Sequence, residues 1–189
     1  VVFGVMEVGA DGVAFSPKNS ADLSRVSEFF KSSVHETLNI QPGKIISNKP
    51  IGMGYRSCID LVTLFEEDEG MLVGSTSQGG VFCCPEVFYL PYMELRPFRV
   101  NAGGIHSYVY NVNDTTNYMS ELKAGMPMMV VNHRGEVRTA AIGRVKTEIR
   151  PLRLLEVGFE QGEAINIIMQ DDWHVRIFAA DGSPANITE

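Results

Sequence analysis

The stretch LRPFRVNAGGIHSYVYNV, Leu95 to Val112, sets Arg96, Arg99, Asn101 and His106 around a glycine pair, among residues that otherwise favour strands. Arginine grips a carboxylate or phosphate through two parallel hydrogen bonds. Histidine moves protons near neutrality, and asparagine orients hydroxyls. If Gly103-Gly104 is a two-residue hairpin turn, Asn101 opposes His106 and Arg99 opposes Tyr108. Alternation then gathers Arg99, Asn101, His106 and Tyr108 on one face and leaves Phe98, Val100, Ala102, Ile105 and Val109 on an apolar one. Two readings follow: the solvated side of an antiparallel sheet, or a patch that converges on an anionic, oxygenated ligand.

Other segments carry weaker signals. KPIGMGYRSCID places Lys49, Arg56 and Asp60 around Gly52 and Gly54, but lacks the third glycine and the strand-to-helix context of a dinucleotide fingerprint. GMLVGSTSQGG is a glycine- and hydroxyl-rich loop whose N–H groups could form an anion nest, without the lysine of a phosphate-binding loop. NYMSELKAG offers Glu121 and Lys123, a pair more common in solvated turns. His35 falls at a helix end, His133 in a turn and His174 in a strand, and none has neighbours at metal-ligand spacing.

The elements that must position these residues divide the chain. VVFGVMEVGA reads as a buried helix tail closed by Gly9, DGVAF as a short strand, and residues 20–35 as an amphipathic helix capped by Asn19 or Ser20. That order is what the end of a βα-repeat domain looks like. After Pro42-Gly43 the texture changes to short alternating runs separated by turn signals, among them His133-Arg134-Gly135, Asp171-Asp172 and Asp181-Gly182. CIDLVTLFEEDEG is ambiguous between strand and short helix. The expected class is α+β: an α/β remnant over residues 1–40, then a mainly antiparallel barrel or sandwich over 41–189.

A net charge of −7 argues against a broad nucleic-acid surface, yet leaves room for a local basic pocket. No apolar run is long enough for a membrane helix. Cys58, Cys83 and Cys84 form no metal spacing, and adjacent Cys83 and Cys84 would bond only under strain, so reduced thiols in an intracellular setting are expected. The chain begins at Val1 as if inside a domain, which points to a fragment.

Taken in order, KPIGMGYRSCID, GMLVGSTSQGG, RPFRVNAGGIHSYV, YMSELKAG and AIGRVKTEIRPLRLLEV resemble the C-terminal half of the archaeal-type (type II) 3-dehydroquinate synthases, from about Gly9 to the last residues. The resemblance implies an NAD-dependent oxidoreductase. It would oxidatively deaminate 2-amino-3,7-dideoxy-heptulosonate and close it to 3-dehydroquinate, on the shikimate route to aromatic amino acids. It implies a small anionic amino sugar acid as substrate; the thiols suit a cytoplasmic enzyme, or a plastid one in a photosynthetic eukaryote, and charge and hydropathy point to no nucleic acid or membrane as partner. By resemblance, Arg96 and Arg99 grip carboxylate or phosphate, Asn101 binds hydroxyls, and Arg56, Asp60 and Tyr108 line the same site. His106 is the expected acid/base, with Glu121 and Lys123 as a second pair, while Gly74, Ser75, Ser77 and Gly79 would hold the cofactor phosphates. The chain departs from the family where His-Ser-Glu is expected and Cys84-Pro85-Glu86 stands, and the family's N-terminal portion is missing. A rival from another class is a non-catalytic β-domain serving as a binding module. A third possibility is an enzyme using the same sheet on a different amino sugar acid.

Overall fold

A computed structural model of the chain describes residues 16–24 and 37–188. The chain divides into two compact units, Val1–His35 and Glu36–Glu189. In the first, residues 20–24 are helical, and the Asn19 side chain accepts the Asp22 N–H at 2.9 Å while Asp22 accepts that of Lys18. That reciprocal pair makes Asn19 the cap. The expected helix tail, the DGVAF strand, the rest of the helix and His35 lie outside the described residues.

The second unit is built from strands β1 (Lys44–Leu61), β2 (Glu69–Gly74), β3 (Val81–Cys83), β4 (Pro85–Glu86), β5 (Arg96–Gly104), β6 (Tyr108–Asn111), β7 (Thr115–Tyr118), β8 (Pro127–Asn132), β9 (Val137–Gly158), β10 (Ala164–Gln170), β11 (Arg176–Phe178) and β12 (Pro184–Asn186). Among the described residues the paired strands run antiparallel. The hydrogen-bonded order is β12-β11-β3-β2-β8-β9-β1-β5-β4. Only Cys84 separates β3 from β4, so the bend there joins the two limbs and closes β2, β8, β9, β1, β5 and β3–β4 into a barrel.

Long β1 and β9 are the frame. They pair from Lys44 opposite Gly158 to Leu61 opposite Ile142, with bulges at Ile45/Ser47, Pro50/Gly52 and Asp60/Leu61. The KPIGMGYRSCID segment runs inside β1. Pro50 and Gly52 (φ +97°) are accommodated at a bulge. Residues 62–68 form the loop after β1, which settles the ambiguous segment.

Alternation sorts the side chains of β1 and β5. Ile59, Leu61, Val100 and Ala102 enter the main core with Met71, Val73, Met128, Val130 and Ile142. Arg56, Cys58, Asp60, Arg99 and Asn101 take the other face and are buried there as well. One side of this sheet is apolar core; the other is a covered polar layer.

The glycine pair is not a hairpin turn. Gly103 and Gly104 belong to β5 and pair with Ser57 and Arg56 of β1. The turn comes one step later, where Ser107 N–H donates to the Gly104 carbonyl at 3.0 Å, and β6 leaves to pair with β2 and β7. Gly103 has φ +88°, and a Cβ on it would collide with the Ile168 carbonyl of β10. This glycine serves a close crossing of two backbones. His133-Arg134-Gly135 and Asp181-Gly182 do form hairpin turns. Asp171-Asp172 and His174 lie in an irregular turn between β10 and β11, so His174 is not in a strand. No helix among the described residues is long and apolar enough to cross a membrane.

Candidate functional site

A cleft of about 230 Å³ opens over the polar layer. β1 contributes Arg56 and Cys58, β4 Glu86, and β5 Arg96, Arg99 and Asn101. β9 contributes Lys146, Glu148 and Arg150 at alternate positions, and the segment leaving β10 brings Gln170, Asp172 and His174. Five cationic side chains against three carboxylates leave a local positive excess in a chain whose net charge is −7. A small anion is attracted there, and nowhere does this require a basic surface.

Two layers of ion pairs hold the walls. Arg99 donates through Nε and Nη2 to the two oxygens of Asp60 at 2.7 and 2.9 Å, and Arg144 donates to Oδ2 from the other side at 2.8 and 2.5 Å. Burial pulls the Asp60 carboxyl upward, but the Arg99 and Arg144 guanidinium groups outweigh it and hold the group below its ordinary 3.8. Glu148 gathers Arg56, Lys146 and Arg150 at 3.2, 3.2 and 3.0 Å. Glu86 lies 2.5 Å from Arg96 Nε.

A hydrogen-bonded arc lines the opposite rim. Asn101 Nδ2 donates to Gln170 Oε1 at 3.1 Å, Gln170 Nε2 donates to Asp172 Oδ2 at 3.1 Å, and His174 Nδ1 lies 2.8 Å from Asp172 Oδ1. A carboxylate only accepts, so Asp172 fixes both amide orientations and keeps the proton of His174 on Nδ1. Burial pulls the Asp172 carboxyl up, and its bonds from His174 and Gln170 together hold it lower than usual. Four buried atoms of cleft residues make no hydrogen bond: Glu86 Oε2 and Arg96 Nε, which face each other as an ion pair, and Asn101 Oδ1 and Arg56 Nε. An acceptor and a cationic donor left open in a polar cleft are what a hydroxylated anion would satisfy.

The expected site residues separate into groups. Arg56, Arg96, Arg99 and Asn101 converge in the cleft. Asp60 stands behind it, its carboxylate taken up by Arg99 and Arg144. His106 and Tyr108 do not join them, because the hairpin that would have brought them there does not form. His106 is exposed in the turn, its ring over Gly104, and the Tyr108 hydroxyl meets that of Tyr118 at 2.7 Å. Glu121 sits in a single 3₁₀ turn (Met119–Glu121) and accepts the Tyr118 N–H, and Lys123 is exposed just beyond. None of these four lines the cleft.

Gly74 ends β2, and Ser75, Ser77 and Gly79 lie in the β2–β3 connection, away from the residues that line the cleft. Gly74 packs on the Gly79 carbonyl, Ser75 N–H donates to Asn166 O, and Gln78 N–H donates to Thr76 Oγ1. The groove of about 680 Å³ beside this loop is walled by Phe82, Phe159, Ile165 and Phe178, with Asp114 and Glu163 but no lysine or arginine among its lining residues.

Cys84 occupies the bend that closes the barrel. Its thiol is buried against the Pro85 carbonyl and does not line the cleft, whereas Glu86 does. Burial pushes the Cys84 thiol up to about 12 and raises those of Cys83 and Cys58 as well. At pH 8 the folded protein should therefore react with Ellman's reagent at less than about a tenth of the rate of the urea-unfolded chain. Equal rates would mean that the bend is open.

Residues 42–189 match the family model of the 3-dehydroquinate synthase II C-terminal domain. The chain belongs to that family. It is 44% identical over 189 residues to a 3-amino-4-hydroxybenzoic acid synthase of Streptomyces griseus, covering 100% of this chain and 48% of that protein. It is 38% identical over 187 residues to the 3-dehydroquinate synthase of Methanococcus maripaludis, covering 99% of this chain and 52% of that enzyme. Against the enzyme of the same name from Methanocaldococcus jannaschii, identity is 37% over 189 residues, with coverages of 100% and 52%. The chain thus spans about half the length of the curated relatives it matches. No solved structure matches it.

Proposed function

We propose that this chain is the substrate-gripping half of an enzyme that closes an aminated, hydroxylated keto acid into a six-membered carbocycle bearing a carboxylate. The convergence of Arg56, Arg96, Arg99, Lys146 and Arg150 on one small cleft, with Asn101 Oδ1 left open among them, carries this reading. The arginines take the carboxylate, and Asn101 takes a hydroxyl. The cleft is too small for a dinucleotide, since sites for drug-sized ligands begin at about 300 Å³. In this reading the NAD-dependent oxidation is a property of the full-length parent, and no step runs through residues 74–79.

Two products are in view. The archaeal relatives are named for 3-dehydroquinate, which has lost the nitrogen, and the Streptomyces relative for 3-amino-4-hydroxybenzoic acid, which keeps it. The second reading, ring closure with the amine retained, is favoured by the higher identity, 44% against 37–38%. Both share the carboxylate and the ring, so the cleft serves either.

The test is the full-length parent incubated with 2-amino-3,7-dideoxy-heptulosonate and NAD, following NADH absorbance and product mass. NADH with nitrogen-free dehydroquinate supports the first reading, and a nitrogen-containing ring supports the second. Absence of both a cyclic product and substrate binding would leave the non-catalytic module. Asn101→Ala should raise KM by about 3- to 10-fold, the worth of one hydrogen bond.

A further inference from the structure

The cleft contains one imidazole that the sequence did not single out for chemistry. His174 is held by Asp172 at 2.8 Å through Nδ1, and its other nitrogen looks across the cleft at Glu86 Oε1, 3.9 Å away. That separation is too long for a hydrogen bond. Asp172 is itself fixed by Gln170, and Gln170 by Asn101, so the group that binds hydroxyls and the imidazole share one hydrogen-bonded arc. The His174 side chain is 16% exposed, open to the cleft but shielded from bulk solvent.

We propose that His174, oriented by Asp172, is the catalytic residue that moves the proton during ring closure. This rests on the reading of the cleft given above. The Nε2 lone pair removes a proton from the carbon next to the substrate's ketone, and the C–H electron pair becomes the enolate. The enolate carbon then attacks the carbonyl carbon that earlier NAD-dependent oxidation of the C–NH2 group, with water added and ammonia released, has left in the chain; this forms the ring C–C bond and turns that carbonyl into an alkoxide. The imidazolium returns its proton to this alkoxide. One proton has moved from carbon to oxygen, no redox partner is consumed in the closure itself, and His174 is regenerated. Asp172 is a positioning residue: it keeps the Nδ1 proton in place and stabilises the imidazolium.

Charged groups surround the imidazole. They are Asp172 on its own segment, Glu86 on β4, Arg96 on β5, Arg56 on β1, Lys146 and Arg150 on β9, and Arg176 on β11, which stacks over Trp173. Glu86 faces Nε2 directly, and Arg96 lies beside Glu86.

The experiment uses the full-length parent with 2-amino-3,7-dideoxy-heptulosonate and NAD. His174→Gln should lower kcat by about 10²- to 10⁴-fold with KM little changed, and should abolish deuterium uptake from D₂O at the ring-closing carbon. Asp172→Asn should lower kcat and displace the pH profile, where a purely structural role would leave the profile in place. Turnover of His174→Gln within threefold of wild type overturns the proposal.

A second readout is independent of turnover. In ¹⁵N-histidine-labelled protein, 3-dehydroquinate should shift the His174 Nε2 resonance while Nδ1 stays protonated. Binding seen by calorimetry without that shift overturns the role of His174 alone. No binding at all overturns the reading of the cleft, and the proposal with it.

Discussion

Asp60→Asn should lower the unfolding free energy by about 3–5 kcal/mol, the cost of stripping one partner from a buried ion pair. The carboxylate is 4% exposed and lies between two guanidinium groups, and Arg99 is 6% exposed. Without it Arg99 stays buried with no counter-charge, while Arg144, more exposed, can turn to water. Urea unfolding of the whole chain measures the loss as a lower midpoint at an unchanged slope. The pH dependence gives an internal check. Asp60 is held below 3.8 in the fold, so its contribution is complete above that value and is lost as pH falls through the lowered folded one. The gap between wild type and variant should therefore be full at pH 7 and shrink below about pH 4. A gap of constant size down to pH 3 would show that the two arginines are not held by this charge.

Gly103→Ala should cost about 2–5 kcal/mol, combining backbone strain with a steric collision. The residue has φ +88°, and the added methyl would meet the Ile168 carbonyl. Because β10 carries Gln170 two residues on, the same push should loosen Asn101 from Gln170 and enlarge the cleft. Gly125→Ala separates the two causes. Its φ is +86°, yet nothing lies within 4 Å of a Cβ there, so it should lose only the strain, about 1 kcal/mol. Equal melting temperatures for the two variants would remove the collision from the account.

These residues also show what was legible in the sequence. Local patterns located most strands and the turns at His133-Arg134-Gly135 and Asp181-Gly182, because alternation and turn chemistry are local properties. They also gave the right partition on β5, with Val100 and Ala102 inward and Arg99 and Asn101 outward. Glycine misled at 103–104, since a tight turn and a close backbone crossing demand the same residue. The displacement of His106 and Tyr108 follows from that one point.

The missed cleft residues left a signal that was there to be read. Lys146, Glu148 and Arg150 recur with period two, as do Gln170, Asp172 and His174, and each set marks one strand-like face. What no local pattern supplies is that these two faces meet β5, because that depends on pairings between segments distant in sequence.

The pairing of β1 with β9 has a consequence for the order of events when the chain is made. Ser57 and Thr147, which share a hydrogen bond at 2.7 Å, are separated by 90 positions. The first strand of the barrel waits for its long partner β9 until most of the domain has been synthesised. Exposed Ile46, Met53 and Tyr55 remain on it even in the finished fold. Pairing with β5 can begin earlier, but closing so long a loop before the β1–β9 ladder rewards it slows assembly and leaves the N-terminal part of nascent β1 available to other strands meanwhile. The cleft, which needs β1, β5 and β9 together, is therefore one of the last parts of the molecule to exist, and its yield in a cell is set by how well the growing chain is shielded.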